Sequence, residues 1–277
     1  RRRERGERRL CVELATSMTA LLLTAAWCAA LLVAPRVSTA VDALYPTAAY
    51  NDRRVLARDA ALALSGLSTA EGIPLAGDTM VYGEFDLNFF AQLLALADPQ
   101  RGDTLLDVGS GVGRLVLAAA LLHADTLRNC HGVEISPPLH DAAIAARVAL
   151  DSLSPSPPVA PVEFTCGSVL DGAGLEAVEA ADVLFSYAVT WASGETHSRL
   201  VRALAERLPD GARVISIDLA LDAQAAGAAE SGARFELLHQ LTGPNEETGG
   251  EATGLVYRLV RDRRRGKGGG TASGGRP

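Results

Sequence analysis

Lysine is nearly absent from this 277-residue chain: Lys267 is the only one, and arginine supplies the other basic groups. Such one-sided usage reads as a compositional bias toward solvated arginine, not as a selected polyanion-binding surface. Cysteine is equally scarce. Cys11, Cys28, Cys130 and Cys166 form no C-x-x-C pair and have no histidine at ligand spacing, which excludes a disulfide scaffold and suggests no zinc site. The five histidines, His123, His131, His140, His197 and His239, show no ligand spacing either. With 48% hydrophobic and 21% charged residues, collagen-like, coiled-coil and wholly disordered chains are excluded, and a folded globular protein of one large or two small domains is expected.

The formal net charge of −7 hides a division along the chain. Residues 1–13 carry +3 and residues 258–277 carry +6, so residues 14–257 hold 13 basic and 29 acidic groups, a balance of −16. A core of that sign repels a nucleic-acid backbone and favours a basic partner; only the two ends suit phosphate or anionic lipid. Between Glu13 and Arg36 lie 22 uncharged residues, Leu14–Pro35, rich in Leu and Ala. That length spans a membrane, and the arginine-rich lead with the small residues Val37-Ser38-Thr39-Ala40 equally fits a cleavable targeting signal. A buried core helix is the competing reading. Membrane or organelle (plastid or secretory) placement follows from the first two, with the nucleus as the alternative. At the other end, Arg261–Lys267 runs into Gly268-Gly269-Gly270, a composition expected to be disordered. The remaining 36–257 suits a single α/β domain.

From Thr104 the pattern alternates. Leu105–Val108 reads as a strand, Val112–Leu122 as a helix, Gly132–Ile135 as a strand and Pro137–Leu150 as a helix; a linker, Ser152–Pro158, follows. Val162–Cys166, Asp182–Tyr187 and Arg213–Ile217 read as further strands, with a helix over Glu195–Leu208. This order predicts a doubly wound, mostly parallel sheet. Arg234–Gln240 and Leu255–Val260 have no helix-length segment between them and are expected to pair antiparallel. Upstream, Leu87, Phe90, Ala91 and Leu94 fall at helical spacing.

The first strand runs directly into Val108-Gly109-Ser110-Gly111-Val112-Gly113-Arg114 and a helix. Glycines there let the backbone turn and let a ligand approach the main chain. A dinucleotide fingerprint is G-x-G-x-x-G; here the spacing is G-x-G-x-G, with Arg114 where the last glycine would stand. Glu134 closes the second strand 21 residues after Gly113, the separation at which a carboxylate meets ribose hydroxyls. Asp107 sits at the strand-to-loop turn, placed to hold the loop or to face a cationic end of the ligand.

Asp107 to Gly113 followed by Glu134 resembles the cofactor site of class I S-adenosylmethionine-dependent methyltransferases. Val81-Tyr82-Gly83-Glu84, ahead of a helix starting near Asp86, narrows this: the stretch resembles the non-SET histone-lysine methyltransferases of the telomeric-silencing-disruptor type. The similarity covers about residues 80–218, half of the chain. It implies a Rossmann-like fold with a helical lead-in and S-adenosyl-L-methionine as cofactor. The implied layout is a targeting or anchor segment at 1–45, a lead-in carrying Tyr-Gly-Glu at 46–100, the methyltransferase domain at 101–260 and a basic Gly-rich tail at 261–277.

The resemblance implies cofactor contacts from Asp107, Gly109, Ser110, Gly111, Gly113 and Glu134. Two departures are visible. Beyond strand three the family has an acidic residue after the glycine, whereas this chain reads Cys166-Gly167-Ser168-Val169-Leu170-Asp171, so the adenine contact falls to Ser168 or moves to Asp171. Near the end of strand four the family has asparagine, and this chain reads Ser186-Tyr187-Ala188. Tyr82, Tyr187 and Trp191 are the candidates for an aromatic acceptor channel, each with a plain core or rim role as its alternative. Glu84 either contacts the cofactor's amino group or caps the following helix. Protein-lysine N-methylation of a histone or other basic protein is the leading expectation; a membrane-held or organellar methyltransferase for another acceptor, and an inert cofactor-binding module, are the others.

Overall fold

The computed structural model describes residues 33–68, 80–192, 195–245 and 248–262. Five strands, β1 (Thr104–Val108), β2 (Asn129–Glu134), β3 (Val162–Cys166), β4 (Val183–Ser186) and β5 (Arg213–Ile217), lie parallel. β6 (Ala233–Asn245) and β7 (Gly250–Arg261) form a long antiparallel hairpin, and β7 inserts between β5 and β6. The sheet order is therefore β3-β2-β1-β4-β5-β7-β6. The expected mostly parallel, doubly wound sheet is present, including the antiparallel late pair. The limits of β3 and β5 are the expected ones, and those of the other strands differ by one to five residues, most in the hairpin, whose outer halves alternate too weakly to read.

Short apolar runs without alternation predict strands covered on both faces, and all five residues of β1 are buried. Along the central strands, successive side chains enter opposite layers. On one face Leu105, Phe185 and Ile215 meet α3 (Leu87–Leu96) and α4 (Arg114–Leu122) through Phe89, Phe90, Leu93 and Val116. On the other, Leu106, Leu184 and Val214 meet α6 (Gly172–Glu179) and α7 (Glu195–Arg207) through Val178, Leu200 and Leu204. Helix α6 escapes sequence reading because it is eight residues long and holds Gly172 and Gly174. Gly174 is needed there: a Cβ would run into the Ser168 carbonyl.

Two helices precede this unit, α1 (Pro35–Leu44) and α2 (Tyr50–Leu64). Val37, Val41 and Tyr45 pack with Leu117 and Leu121 of α4 and with Leu139 and Leu150 of α5 (Pro137–Asp151). The Tyr45 hydroxyl donates to the Val112 carbonyl at 2.8 Å. Residues 35–45, read from sequence as the end of a leader, are thus part of the folded core, because their apolar stripe covers the outer side of α4. Among the described residues no helix is long and apolar enough to cross a membrane. Residues 14–32 of the uncharged run and the tail from Arg263 onward lie outside the described residues.

The hairpin and α3 pack at backbone distance. Gly254 of β7 faces Leu93 of α3 so closely that a Cβ would overlap its side chain, and Leu93 is wholly buried and cannot retreat. Gly254→Val is expected to destabilise the protein by about 2 kcal/mol or more, through overpacking. Leu62→Ala, at a side chain two-thirds exposed, is expected to stay within about 0.5 kcal/mol of the parent. Urea unfolding of the two variants beside the parent checks both; a neutral Gly254→Val would contradict the close approach.

Candidate functional site

In an open α/β sheet the ligand crevice lies beyond the carboxyl ends of the strands where the strand order reverses, here between β1 and β4. A cavity of about 320 Å³ occupies that position. Its floor is the loop between β1 and α4. Gly109 N and Ser110 N both donate to the Val133 carbonyl of β2, at 2.9 and 3.1 Å, and Gly113 N donates to the Ser110 carbonyl at 2.8 Å. Gly111 and Gly113 are left-handed, with φ of +55° and +80°. A Cβ on Gly111 would stand 2.9 Å from the Tyr82 ring, and one on Gly113 would stand 2.6 Å from Phe164 of β3. The two glycines therefore have different tasks. Gly111 leaves room under Tyr82 in the cavity, whereas Gly113 is the cap residue of α4, packs against β3 and does not line the cavity. The third glycine comes one residue early for a dinucleotide fingerprint because it ends the turn, so the helix starts at Arg114 and not at Val112.

Glu134 is buried at the end of β2. One carboxylate oxygen accepts from Gly111 N and the other from Ser136 N, each at 2.8 Å. Burial pushes its pKa up, and the backbone donors of Ser136, Gly111 and Ile135 oppose that. Asp107, also buried, is pushed up to about 7, first by desolvation and then by the charge of Glu134. Close by, the hydroxyls of Ser110 and Ser136 are buried without a partner. Two buried carboxylates, two unpartnered hydroxyls and an open glycine backbone fit a ligand that brings hydroxyls and a cationic group, as S-adenosylmethionine does. Ser136, just ahead of Pro137-Pro138, was readable as the start of α5 but not as a cavity residue.

The roof comes from residues 80–85 and from α2, whose Ala57, Ala61 and Leu64 line the same cavity. Tyr82 lies over Gly111, and its hydroxyl donates to Glu84 Oε1 at 2.9 Å. Burial and the Glu84 charge hold that hydroxyl well above the usual phenol range, hence protonated. Arg53 Nε of α2 donates to the same Glu84 oxygen at 2.6 Å, and Arg114 Nε stands 3.8 Å from the other. Cap duty at α3 belongs to Asp86, which accepts from Phe89 N at 2.6 Å, so Glu84 is not the cap. Arg53 carried no sequence signal, lying 31 residues from Glu84 in a helix with no visible link to the loop.

At the end of β4, Tyr187 packs edge-on against Phe85 with ring centroids 5.1 Å apart, and Trp191 sits in the 3-10 turn Val189–Ala192 against the α7 side of the core. Both line the cavity, as does Ser168, whose hydroxyl accepts from Leu170 N at 3.1 Å. Asp171 does not; its carbonyl starts α6 by accepting from Gly174 N and Leu175 N. Asn245 and Thr248, from the tip of the β6–β7 hairpin, complete the wall and were not foreseen, since hairpin reach is a property of the folded sheet. Tyr82, Glu84, Asp107, Gly109, Ser110, Gly111 and Glu134 line the same cavity as these residues.

Raising the Asp107 pKa from 3.8 to about 7 penalises the fold as pH rises. The unfolded carboxyl ionises above pH 3.8 while the folded one stays protonated, so the cost grows between those values and is complete above pH 7. Asp107→Asn removes that cost. Relative to the parent without ligand, the variant is expected to gain about 2–3 kcal/mol of stability between pH 5 and pH 8. Urea unfolding at both pH values measures it, and an unchanged difference between the two proteins would show that Asp107 titrates normally.

Comparison with known proteins adds a family. Residues 75–231 match the family described as "Histone methylation protein DOT1". No curated protein matches. Among solved structures the chain is similar to an RNA methyltransferase from Salinibacter ruber in complex with S-adenosyl-L-homocysteine, with 23% identity, a TM-score of 0.45, and 66% of this chain and 97% of that one covered. It is similar to the rRNA methyltransferase AviRa from Streptomyces viridochromogenes, with 19% identity, a TM-score of 0.45 and coverage of 64% and 86%. It is also similar to the N-methyltransferase NodS from Bradyrhizobium japonicum, with 10% identity, a TM-score of 0.46 and coverage of 62% and 95%. The family match takes in more than half of the chain, with both the Tyr82-Gly83-Glu84 roof and the glycine loop inside it, and so the protein belongs to the DOT1 histone-methylation family of class I S-adenosylmethionine-dependent methyltransferases.

Proposed function

We propose that the protein transfers a methyl group to a lysine side chain of a histone or another basic protein. The observation that carries this reading is the Tyr82-Gly83-Glu84 segment folded over Gly111 in a chain of this family. The cofactor, when bound, supplies a methyl group on a sulfonium centre, open to in-line attack. The chain's own residues then have to bind, orient and keep the site dry. Glu134, Ser110 and Ser136 face ribose hydroxyls, Gly109 and Gly111 let the ligand reach the backbone, and Ser168 lies on the adenine side.

A lysine amine attacks only after losing a proton whose reference pKa is about 10.4. An apolar, aromatic channel lowers that value by disfavouring the ammonium form, and Tyr82, Tyr187 and Trp191 are the residues we assign to it. The −16 balance of residues 14–257 favours approach of a basic protein and opposes a nucleic-acid backbone. Tyr187 stands where asparagine was expected from the resemblance, so the acceptor is held here by an aromatic edge instead of a carboxamide.

A second reading rests on Leu14–Pro35, whose length and lack of charge suit a membrane anchor or an organelle-targeting leader. In that case a protein of the membrane or organelle is the acceptor, with the leader at 1–32 preceding the fold and the basic tail following it.

The test offers labelled S-adenosylmethionine and the full chain to reconstituted nucleosomes, free histones and an organelle-protein extract side by side. Label on histone lysine is expected, falling below about 1% in Gly111→Arg, which fills the space under Tyr82. Label only in the extract would favour the second reading. Cofactor binding with no transfer to any of the three would reduce the protein to a cofactor-binding module.

A further inference from the structure

The β6–β7 hairpin lies beyond residues 75–231, the part of the chain that matches the family, so the task of its tip is set by this chain's own residues. Strand β5 ends at Ile217, opposite Gly254 of β7. Beyond that point Asp218 turns the chain aside with φ of +57°, and its carboxylate accepts from Thr253 N at 2.6 Å. Residues 242–245 of β6 and 250–253 of β7 therefore continue past the ligand edge of the sheet as a two-stranded arm, about 14 Å long at the usual rise per residue. Leu241, Gly243, Ala252 and Gly254 share one face of the hairpin. A Cβ on Gly243 would stand 2.5 Å from the buried ring of Phe89, just as Gly254 meets Leu93, so the arm is seated on α3 at backbone distance and its direction is fixed.

The tip itself is tied. Asn245 Oδ1 accepts from Thr248 N at 3.2 Å, the Asn245 carbonyl accepts from Gly249 N at 2.9 Å, and Thr248 Oγ1 accepts from Gly250 N at 3.2 Å. Strand order divides the cavity that this tip reaches. Glu134, Ser136, Ser168 and the glycine loop enter from the side of β1, β2 and β3, whereas the hairpin enters from the opposite end of the sheet, after the end of β4 and the start of α7. In the hairpin half the polar lining residues are Thr190, Thr196, Asn245 and Thr248, beside the aromatic Tyr187 and Trp191, and no carboxylate or guanidinium is among them. The Thr196 hydroxyl makes no hydrogen bond among the described residues, and the Thr248 hydroxyl donates to none of them. Neutral donors and acceptors between aromatic walls match peptide groups; a phosphodiester backbone requires cations, which this half lacks.

We propose that the tip of the β6–β7 hairpin binds the acceptor polypeptide, with the hydroxyls of Thr248 and Thr196 hydrogen-bonded to peptide groups flanking the methylated residue. The inference rests on the protein-acceptor reading above and gives that acceptor its own half of the cavity. Asn245 ties the turn that presents Thr248. Pro244, which has no N–H, and the irregularity between Leu237 and His239 blunt the open edge of β6, so the peptide is held by the tip and not by strand addition. The long hairpin acquires a task by this route: it carries two polar residues from the far edge of the sheet to a site built on its centre.

Amide hydrogen exchange of the full chain tests the placement in four states: alone, with S-adenosylhomocysteine, and with S-adenosylhomocysteine plus either free core histones or single-stranded RNA. S-adenosylhomocysteine alone is expected to slow exchange around the glycine loop and Glu134 and to leave the hairpin tip unchanged. Added histones are expected to slow exchange at the tip by about fivefold or more. Protection of the tip by S-adenosylhomocysteine alone, by RNA in place of histones, or by neither acceptor overturns the inference. Methyl label on histones without tip protection fails this inference and leaves lysine transfer standing. Tip protection without label fails lysine transfer and leaves the peptide site standing.

Kinetics separate acceptor binding from a role confined to the turn. Thr248→Val is expected to raise KM for histones about threefold or more, as the loss of one hydrogen bond does, with kcat and the affinity for S-adenosylhomocysteine within about twofold of the parent. Thr196→Val acts in the same direction, and Thr248→Ser, which keeps the hydroxyl, restores the parent's KM. A Thr248→Val protein with the parent's KM, or a Thr248→Ser protein as impaired as Thr248→Val, overturns the proposal. If Thr248→Val does not fold, the exchange pattern of the parent decides.

Discussion

The hydrogen bonds that tie the glycine loop to β2 are the constraint on which the site depends. Gly109 N and Ser110 N share the Val133 carbonyl, and Gly111 N reaches the Glu134 carboxylate one residue further along the same strand. Strand β2 is parallel to β1 and in register with it, Val108 opposite Val133, so the loop leaving β1 arrives beside the end of β2. A parallel sheet puts the carboxyl ends of neighbouring strands at one edge, and this is what lets a backbone loop and a carboxylate from different strands build one ligand floor. The same register brings Glu134 near enough to Asp107 for its charge to add to the desolvation that raises the Asp107 pKa in this buried setting. The site therefore stores electrostatic stress that a ligand with a cationic group relieves.

Above that floor, the roof is built from a part of the chain outside the sheet. Helices α1 and α2 bury their apolar stripe on α4 and α5, and in doing so carry Arg53 to Glu84 and Tyr45 to the carbonyl of Val112. The Tyr-Gly-Glu segment is thus clamped from two sides: Asp86 caps α3 just after it, and Arg53 holds its carboxylate. Tyr82 is fixed over Gly111 by its own ring packing and by the oxygen it shares with Arg53. An N-terminal layer that looks optional in the sequence is in the structure a wall of the cavity.

Much of this is legible in the amino-acid sequence. The alternation of short apolar runs with helical periods specified the doubly wound sheet, because strands buried on both faces cannot tolerate polar alternation. The G-x-G-x-G loop and Glu134 stood in strand–loop–helix–strand order, which confines them to one sheet edge whatever the rest of the chain does. Elements that failed to show were those with weak periodic signal. Helix α6 is too short and too rich in glycine, α1 was masked by continuity with the uncharged run before it, and the hairpin extended beyond the residues that alternate.

What the sequence by itself determined is local and periodic: the strand and helix order, the glycine turn, and the acid that follows it at ribose distance. What only the tertiary structure decided is which distant groups meet. Glu84 was open to two roles in the sequence; Asp86 takes the cap, and Arg53 reaches the Glu84 carboxylate from 31 residues away. Gly113 and Asp171, the latter offered by the resemblance as the alternative to Ser168, stand at the starts of helices α4 and α6 and do not line the cavity, while Asn245 and Thr248 reach it from the far hairpin. The reason is physical: dihedral preference and hydrophobic period act over a few residues, but the partner of a buried charge is chosen by packing, and packing brings together residues that the chain order keeps apart.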